Sequence, residues 1–365
     1  MKIKKKIIGT LEKCYSLSLL DYHGAKHILV AAEKVNNCEL FDLGGRKEAV
    51  IWKEPGGVMT IAQLPGSDGV FFATQKFYSP DDSEQARIVI AEPNANKWEV
   101  RTLFDLPFVH RFDIIPANGT NYLIACTIKS GHKYKGDWSS PGKIYAVKLP
   151  EDLSSYDAGH QLKPDVILEG LVKNHGYTRF VGADGSIQAV VSADCGVFRL
   201  TPPSSEKAEW KIEQLLDVPA SDAQLIDLDS DGEAELCVFT PFHGDTLQIY
   251  RKNGRGYRLA YEYPHKLEFL HAICGCTVGG KPILVAGNRK GERNLMAFYW
   301  DSEKESYLCE ILDRNCGAAN VMHFIKDGKD FLVGANREIN QITLYELTVE
   351  QQRIKNFNRK KREIE

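Results

Sequence analysis

The sequence predicts an all-β fold, a single seven-bladed β-propeller of four-stranded blades over residues 1–349. Three observations lead there. One pattern recurs seven times along the 365 residues, at a period of about 50 residues, near the length of a four-stranded propeller repeat. Apolar residues alternate around Gly, Asp and Asn dipeptides, which marks hairpins, not helices. The composition, 43% apolar and 10% aromatic with 30 glycines and 15 prolines, suits many short strands and tight turns.

Each copy reads as a short apolar strand, a turn, a second apolar run ending in small residues, a variable loop and an I-x-L/V-Y strand. Residues 271–300 and 320–347 show it best. In both, a GG-K or DG-K turn makes the first hairpin and G-N-R or A-N-R closes the second strand. Copies fall at 15–43, 58–93, 109–149, 174–202, 222–252, 270–300 and 319–347. Segment 5–13 precedes the first copy and is expected to add an outer strand to the last blade, closing the ring. A stacked solenoid is the rival architecture, but it calls for stronger periodicity and atypical capping units. The longest insertion, 128–143, is rich in Gly, Ser, Lys and aromatics and reads as a functional loop on one face. The tail 350–365 is basic and reads as a frayed helix.

A net charge of −3 and a pI near 6.4 give no case for nucleic acid or membrane as partner, and the oligomeric state is open. The lysines at 2, 4, 5 and 6 and the basic residues at 353–362 read as a solvated edge. Ile7 and Ile8 begin a signal-like run that Glu12 and Lys13 interrupt, and no apolar run approaches the ~18 residues of a membrane span. Nine cysteines, mostly in strand-like runs, indicate a reduced, cytoplasmic chain. The C-x-C at Cys274 and Cys276 reads as core.

Two groups of residues can carry chemistry. In the loop 227–235, Asp227, Asp229, Asp231 and Glu235 surround a glycine turn and offer hard oxygens for a structural Ca²⁺ or Mg²⁺; a charged hairpin without metal is the equal alternative. Among the histidines, His110, His175 and His271 each start an innermost strand, and His243 ends a second strand. Innermost strands surround the propeller axis, so these imidazoles are expected to meet at one mouth. There His175, His243 and His271 can bind a divalent metal (Zn, Mn, Mg or Ca), or one histidine can act as a general base. Nearby candidates are Arg111, Tyr177, Arg179 and Asn336, with Lys129, His132, Tyr134, Asn288, Arg289 and Arg337 as substrate contacts. No dinucleotide, P-loop or hydrolase fingerprint appears, so no organic cofactor is expected.

The acidic loop resembles the calcium loops of FG-GAP/VCBS propeller repeats. The segments VHRFDIIPA (109–117), 171–197, PFHGDTLQIYRK (241–252) and 270–287 resemble, in order, the propeller of the aldos-2-ulose dehydratase (1,5-anhydrofructose dehydratase) family. That resemblance implies a carbon–oxygen lyase acting on a small ketosugar. His110 would take the proton α to a carbonyl; His175, His243 and His271, with Arg111 or Tyr177, would stabilise the enediolate. Two departures stand against it. The family's cupin domains do not follow here, and a histidine of the family pattern is replaced in copy two, by this reading at Thr60. A metal-assisted polysaccharide lyase and a non-catalytic binding platform are the alternatives.

Overall fold

A computed structural model of the chain describes residues 1–34, 37–95, 97–182, 184–205 and 207–349; the predicted helical tail lies outside them. The seven-bladed propeller is borne out: seven antiparallel sheets stand around one axis. Blade 1 comprises Cys14–Tyr22, Ala25–Ala32, Cys38–Asp42 and Lys47–Trp52. The innermost strands of blades 2 to 7 are Ile61–Gln63, Val109–Ala117, Gly176–Val181, Asp222–Ile226, Leu270–Val278 and Asn320–Lys326. Each packs against the next, and the last against the first, which closes the circle.

The expected closure strand is present. Lys2–Thr10 pairs antiparallel with Gln341–Thr348 as the outer strand of blade 7, so both ends of the described chain are tied into one sheet. Its lysines blunt a sheet edge, with Lys5 2.5 Å from Asp313. Blade 3 carries the predicted insertion. Lys129–Gly131 forms a short extra strand on Ser140–Lys148.

Seven apolar clusters fill the gaps between neighbouring blades, and strand alternation explains how one strand serves two of them. In blade 1, Leu29 and Ala31 face blade 2, packing on Phe71 and Val89. Ile28 and Val30 face blade 7, packing on Val333 and Leu344. Middle strands are therefore buried on both sides, which is why the sequence shows unbroken apolar runs there. At about 25 cal/mol per Å² of apolar surface removed from water, these clusters are the main stabilising term.

All nine cysteines are free. Cys274 and Cys276 pack against the apolar cluster between blades 6 and 7 and are partly buried; Cys274 also lines the axial channel. Among the described residues no helix is long and apolar enough to cross a membrane.

Candidate functional site at the channel mouth

One position per blade forms a closed layer at the start of the innermost strands: Tyr15, Met59, His110, His175, Ser221, His271 and Ala319. All are at most 3% exposed. In blades 1, 3 and 6 the pairing skips one residue, between Cys14 and Ser16, Val109 and Arg111, and Leu270 and Ala272. Tyr15, His110 and His271 are thus the extra residues of β-bulges, a device that re-aims a side chain. In blade 2 the layer position is Met59, so the histidine replacement assigned to Thr60 lies one residue too far along. Thr60 instead donates its hydroxyl to the His110 carbonyl at 3.1 Å.

Side chains from adjacent blades satisfy most carbonyls of this layer. His110 Nδ1–H donates to His175 O at 3.1 Å and His271 Nδ1–H to Ala319 O at 2.6 Å. Arg111 donates to Met59 O at 2.8 Å and Asn320 to Tyr15 O at 2.8 Å. His175 Nδ1 lies 3.1 Å from Asp222 Oδ2 and 3.3 Å from Ser221 O. Committing Nδ1 to a donor role leaves Nε2 of all three imidazoles as a lone-pair atom facing inward.

His243 completes the group from the turn 241–244, just beyond the second strand Glu235–Thr240 that the sequence reading had it end. Phe242 stacks on its ring at 3.9 Å and Phe269 packs against it at a tilt, 4.2 Å away. Its Nε2 lies 3.2 Å from His175 Nε2; with the His175 proton on Nδ1, His243 supplies the hydrogen between them. Ligand atoms of His175, His243 and His271 all lie within 4.8 Å of one another. Nitrogens bound to one zinc at about 2.0–2.1 Å in tetrahedral geometry stand about 3.4 Å apart. The His175–His243 spacing of 3.2 Å is already close to this, and bringing the remaining ligand atoms from within 4.8 Å to that spacing takes small side-chain shifts. The donor set fits a borderline divalent ion such as Zn²⁺, with a fourth position open. The imidazole–carboxylate link to Asp222 is the kind of support that orients metal-binding histidines.

Burial pushes the imidazoles of His110, His243 and His271 well below the usual histidine range. His175 and Arg111 add to this at His110, and Arg289 with His175 at the other two. They stay neutral, as a ligand or a base must be. His110 Nε2 has no hydrogen-bond partner among the described residues.

Two residues at this layer escaped the sequence reading. Tyr15 Oη–H lies 3.0 Å from His271 Nε2 and 3.5 Å from Arg111 Nη2; burial raises its pKa. It occupies in copy one the position of the histidines in copies three, four and six, a signal present in the repeat alignment. Asp222 has no such signal, since only the fold brings it to His175.

The other candidates scatter. Tyr177 donates to Asp113 at 3.0 Å, where Arg179 forms a two-point ion pair, further down the channel from the histidines. Lys129 is buried against Asp81 at 2.7 Å and lies over Trp138 at 4.5 Å. His132 pairs with Glu84 at 3.0 Å, while Tyr134 stands exposed on the insertion. Asn288 and Asn336 brace their own turns. Arg289 stacks on Phe269 and pairs with Glu338 at 2.8 Å, close to the histidines; Arg337 pairs with Glu33 and Glu338. His323, overlooked in sequence, lies 2.9 Å from Asp330.

The acidic loop 227–235 sits at the opposite end of blade 5, in its first hairpin. Asp227, Asp229 and Glu235 cluster without Asp231, whose carboxylate caps Glu233 N at 2.8 Å. Arg251 binds Asp229 and lies 3.6 Å from Glu235, and Tyr307 donates to Glu235 at 2.7 Å. The guanidinium already supplies the positive charge a cation would bring.

Fold and site together define a seven-bladed β-propeller with a layer of histidines across one end of its axis. No family model and no curated protein matches the chain. Among solved structures it is similar to the Cps50 (Swd1) β-propeller domain of Myceliophteria thermophila, at 9% identity and a TM-score of 0.58. That match covers 94% of this chain and 100% of that one; likeness at this level shows the fold alone.

Proposed function

We propose that the protein is a carbon–oxygen lyase of the dehydratase type, acting on a small carbonyl-bearing sugar at the histidine layer. The observation that carries this reading is the convergence of the ring nitrogens of His175, His243 and His271, all within 4.8 Å of one another, beside His110. A divalent ion held by His175, His243 and His271 would polarise the carbonyl oxygen of the reactant.

The chain's own residues supply the proton chemistry. His110 Nε2 takes the proton from the carbon α to the carbonyl. The C–H electron pair becomes the new C=C bond, and the β-hydroxyl leaves with its bonding pair as water after gaining a proton. Tyr15 Oη–H, next to Arg111, is the donor assigned to that proton. Neutral His110 is the competent state, and its anchored Nδ1–H fixes which nitrogen accepts the proton. The segments that resemble the ketosugar dehydratase propeller, 109–117, 171–197, 241–252 and 270–287, are those that supply all four histidines.

Absorbance near the enone band reports the reaction directly. Metal-loaded protein with 1,5-anhydrofructose is expected to develop that band, and His110→Ala to slow it by about 10²–10⁴-fold. No band with 1,5-anhydrofructose or D-glucosone rejects the lyase reading and leaves a propeller that binds without turnover.

A further inference from the structure

Below the histidine layer the propeller axis is hollow. A cavity of about 630 Å³ is lined by all seven innermost strands, with Met59, Arg111, Asp222 and His271 of the layer region at its closed end. Towards the other end it passes Tyr177, Gln224, Gly275 and His323 and reaches Arg179, whose side chain is 44% exposed. A second cavity of about 560 Å³ shares Arg179, Ile61 and Met322 with it and leads to the turn 65–67 on the face away from the histidine turns. On the histidine side the path is blocked. Phe242 and Phe269 sandwich His243, and Phe77 covers His110 at 5.0 Å.

Two groups in the cavity wall lack partners. The Ser16 hydroxyl is buried and unbonded. Asp222 is 2% exposed and spends Oδ2 on His175 and Ser221, while Oδ1 accepts no hydrogen bond among the described residues. Native proteins rarely leave a buried hydroxyl such as that of Ser16 unpaired. A carboxylate oxygen and a rotatable serine hydroxyl beside the Arg111 guanidinium are the donors and acceptors that bind sugar hydroxyls. The volume falls within the range of small-molecule sites.

We infer that the reactant is held in this channel, with its hydroxyls on Asp222 and Ser16, and enters from the face opposite the histidine turns. The ligand class is an oxygen-rich, uncharged molecule of monosaccharide size. This rests on the lyase reading for its reactive end, but binding is separable from turnover. Because 1,5-anhydroglucitol has hydroxyls and no carbonyl, it can bind and cannot eliminate.

Calorimetric titration of 1,5-anhydrofructose, D-glucosone and 1,5-anhydroglucitol into the metal-loaded protein, Ser16→Ala and Gly275→Met tests it. Ser16→Ala should melt no lower than wild type, since it removes an unsatisfied hydroxyl, yet bind about three- to tenfold more weakly. A Cβ at Gly275 would meet Gln224 Cγ at 2.9 Å and Ile226 Cδ1 at 3.2 Å, so methionine there narrows the channel, and binding should fall more than tenfold. Both variants should keep wild-type metal content. Binding that both variants share with wild type, or no binding of any of the three by wild type, overturns the inference. Binding lost in the variants without enone formation by wild type upholds the channel and removes the lyase.

Discussion

Asp222→Asn alters one atom at the point where the histidine layer is held in register. The carboxylate lies 3.1 Å from His175 Nδ1, and both side chains are at most 3% exposed, so water cannot replace it. It keeps the imidazole proton on Nδ1 and leaves Nε2 free. Asparagine preserves shape but loses the charge, and its amide can turn a donor towards Nδ1. The Ser221 carbonyl, 3.3 Å away, remains as a weaker anchor, so His175 is loosened and not released. Loss of such a supporting contact typically costs 10–100-fold in metal affinity, or about 1.4–2.7 kcal/mol. Titration of Zn²⁺ into wild type and Asp222→Asn at pH 7.5 should show that drop with one site per chain. Equal affinities would refute the claim that Asp222 positions a metal-binding nitrogen.

Further predictions follow from the same geometry. Tyr15→Phe frees His271 Nε2 from a competing hydroxyl, so zinc affinity should hold or rise while metal-free stability falls by about 0.5–1.5 kcal/mol, read by urea unfolding. Burial holds the pKa values of His110, His243 and His271 below those of the unfolded chain; their unfolded forms therefore bind protons first. Stability of the metal-free protein should be level above pH ~6.5 and fall as pH drops through it, by up to about 1.4 kcal/mol per pH unit for each group. Unfolding curves unchanged between pH 7.5 and 5.5 would contradict that. Gly176→Ala places a Cβ 2.5 Å from Ser221 O and 2.7 Å from Asp222 Cα; it should cost several kcal/mol and weaken zinc binding together. With Arg251 on Asp229 and Glu235, 1 mM Ca²⁺, roughly the weak end of the protein-site range, should leave the melting temperature unchanged.

The repeat carried most of the fold. Seven hairpin patterns located the blades because each gap between blades is filled by alternating residues of its own two neighbours. It also put His110, His175 and His271 at equivalent places. What it hid was the bulge. One unpaired residue moves the layer position without changing the apolar pattern, so copy two was aligned on Thr60 when Met59 occupies the layer. Partnerships across blades were equally invisible: Asp222 meets His175, and Asp113 takes up Tyr177 and Arg179. Lys129 and Arg337 look free in sequence and are ion-paired in the fold. His243 was found by its residue type, yet its role depends on a turn that carries it back over the axis.

The central claim is that His175, His243 and His271 hold one divalent ion. X-ray absorption at the zinc edge of the loaded protein reads the ligand shell directly. The account predicts about three imidazole nitrogens at about 2.0–2.1 Å, lost when His175 is replaced by alanine. An oxygen-only shell, or one indifferent to His175→Ala, would contradict it.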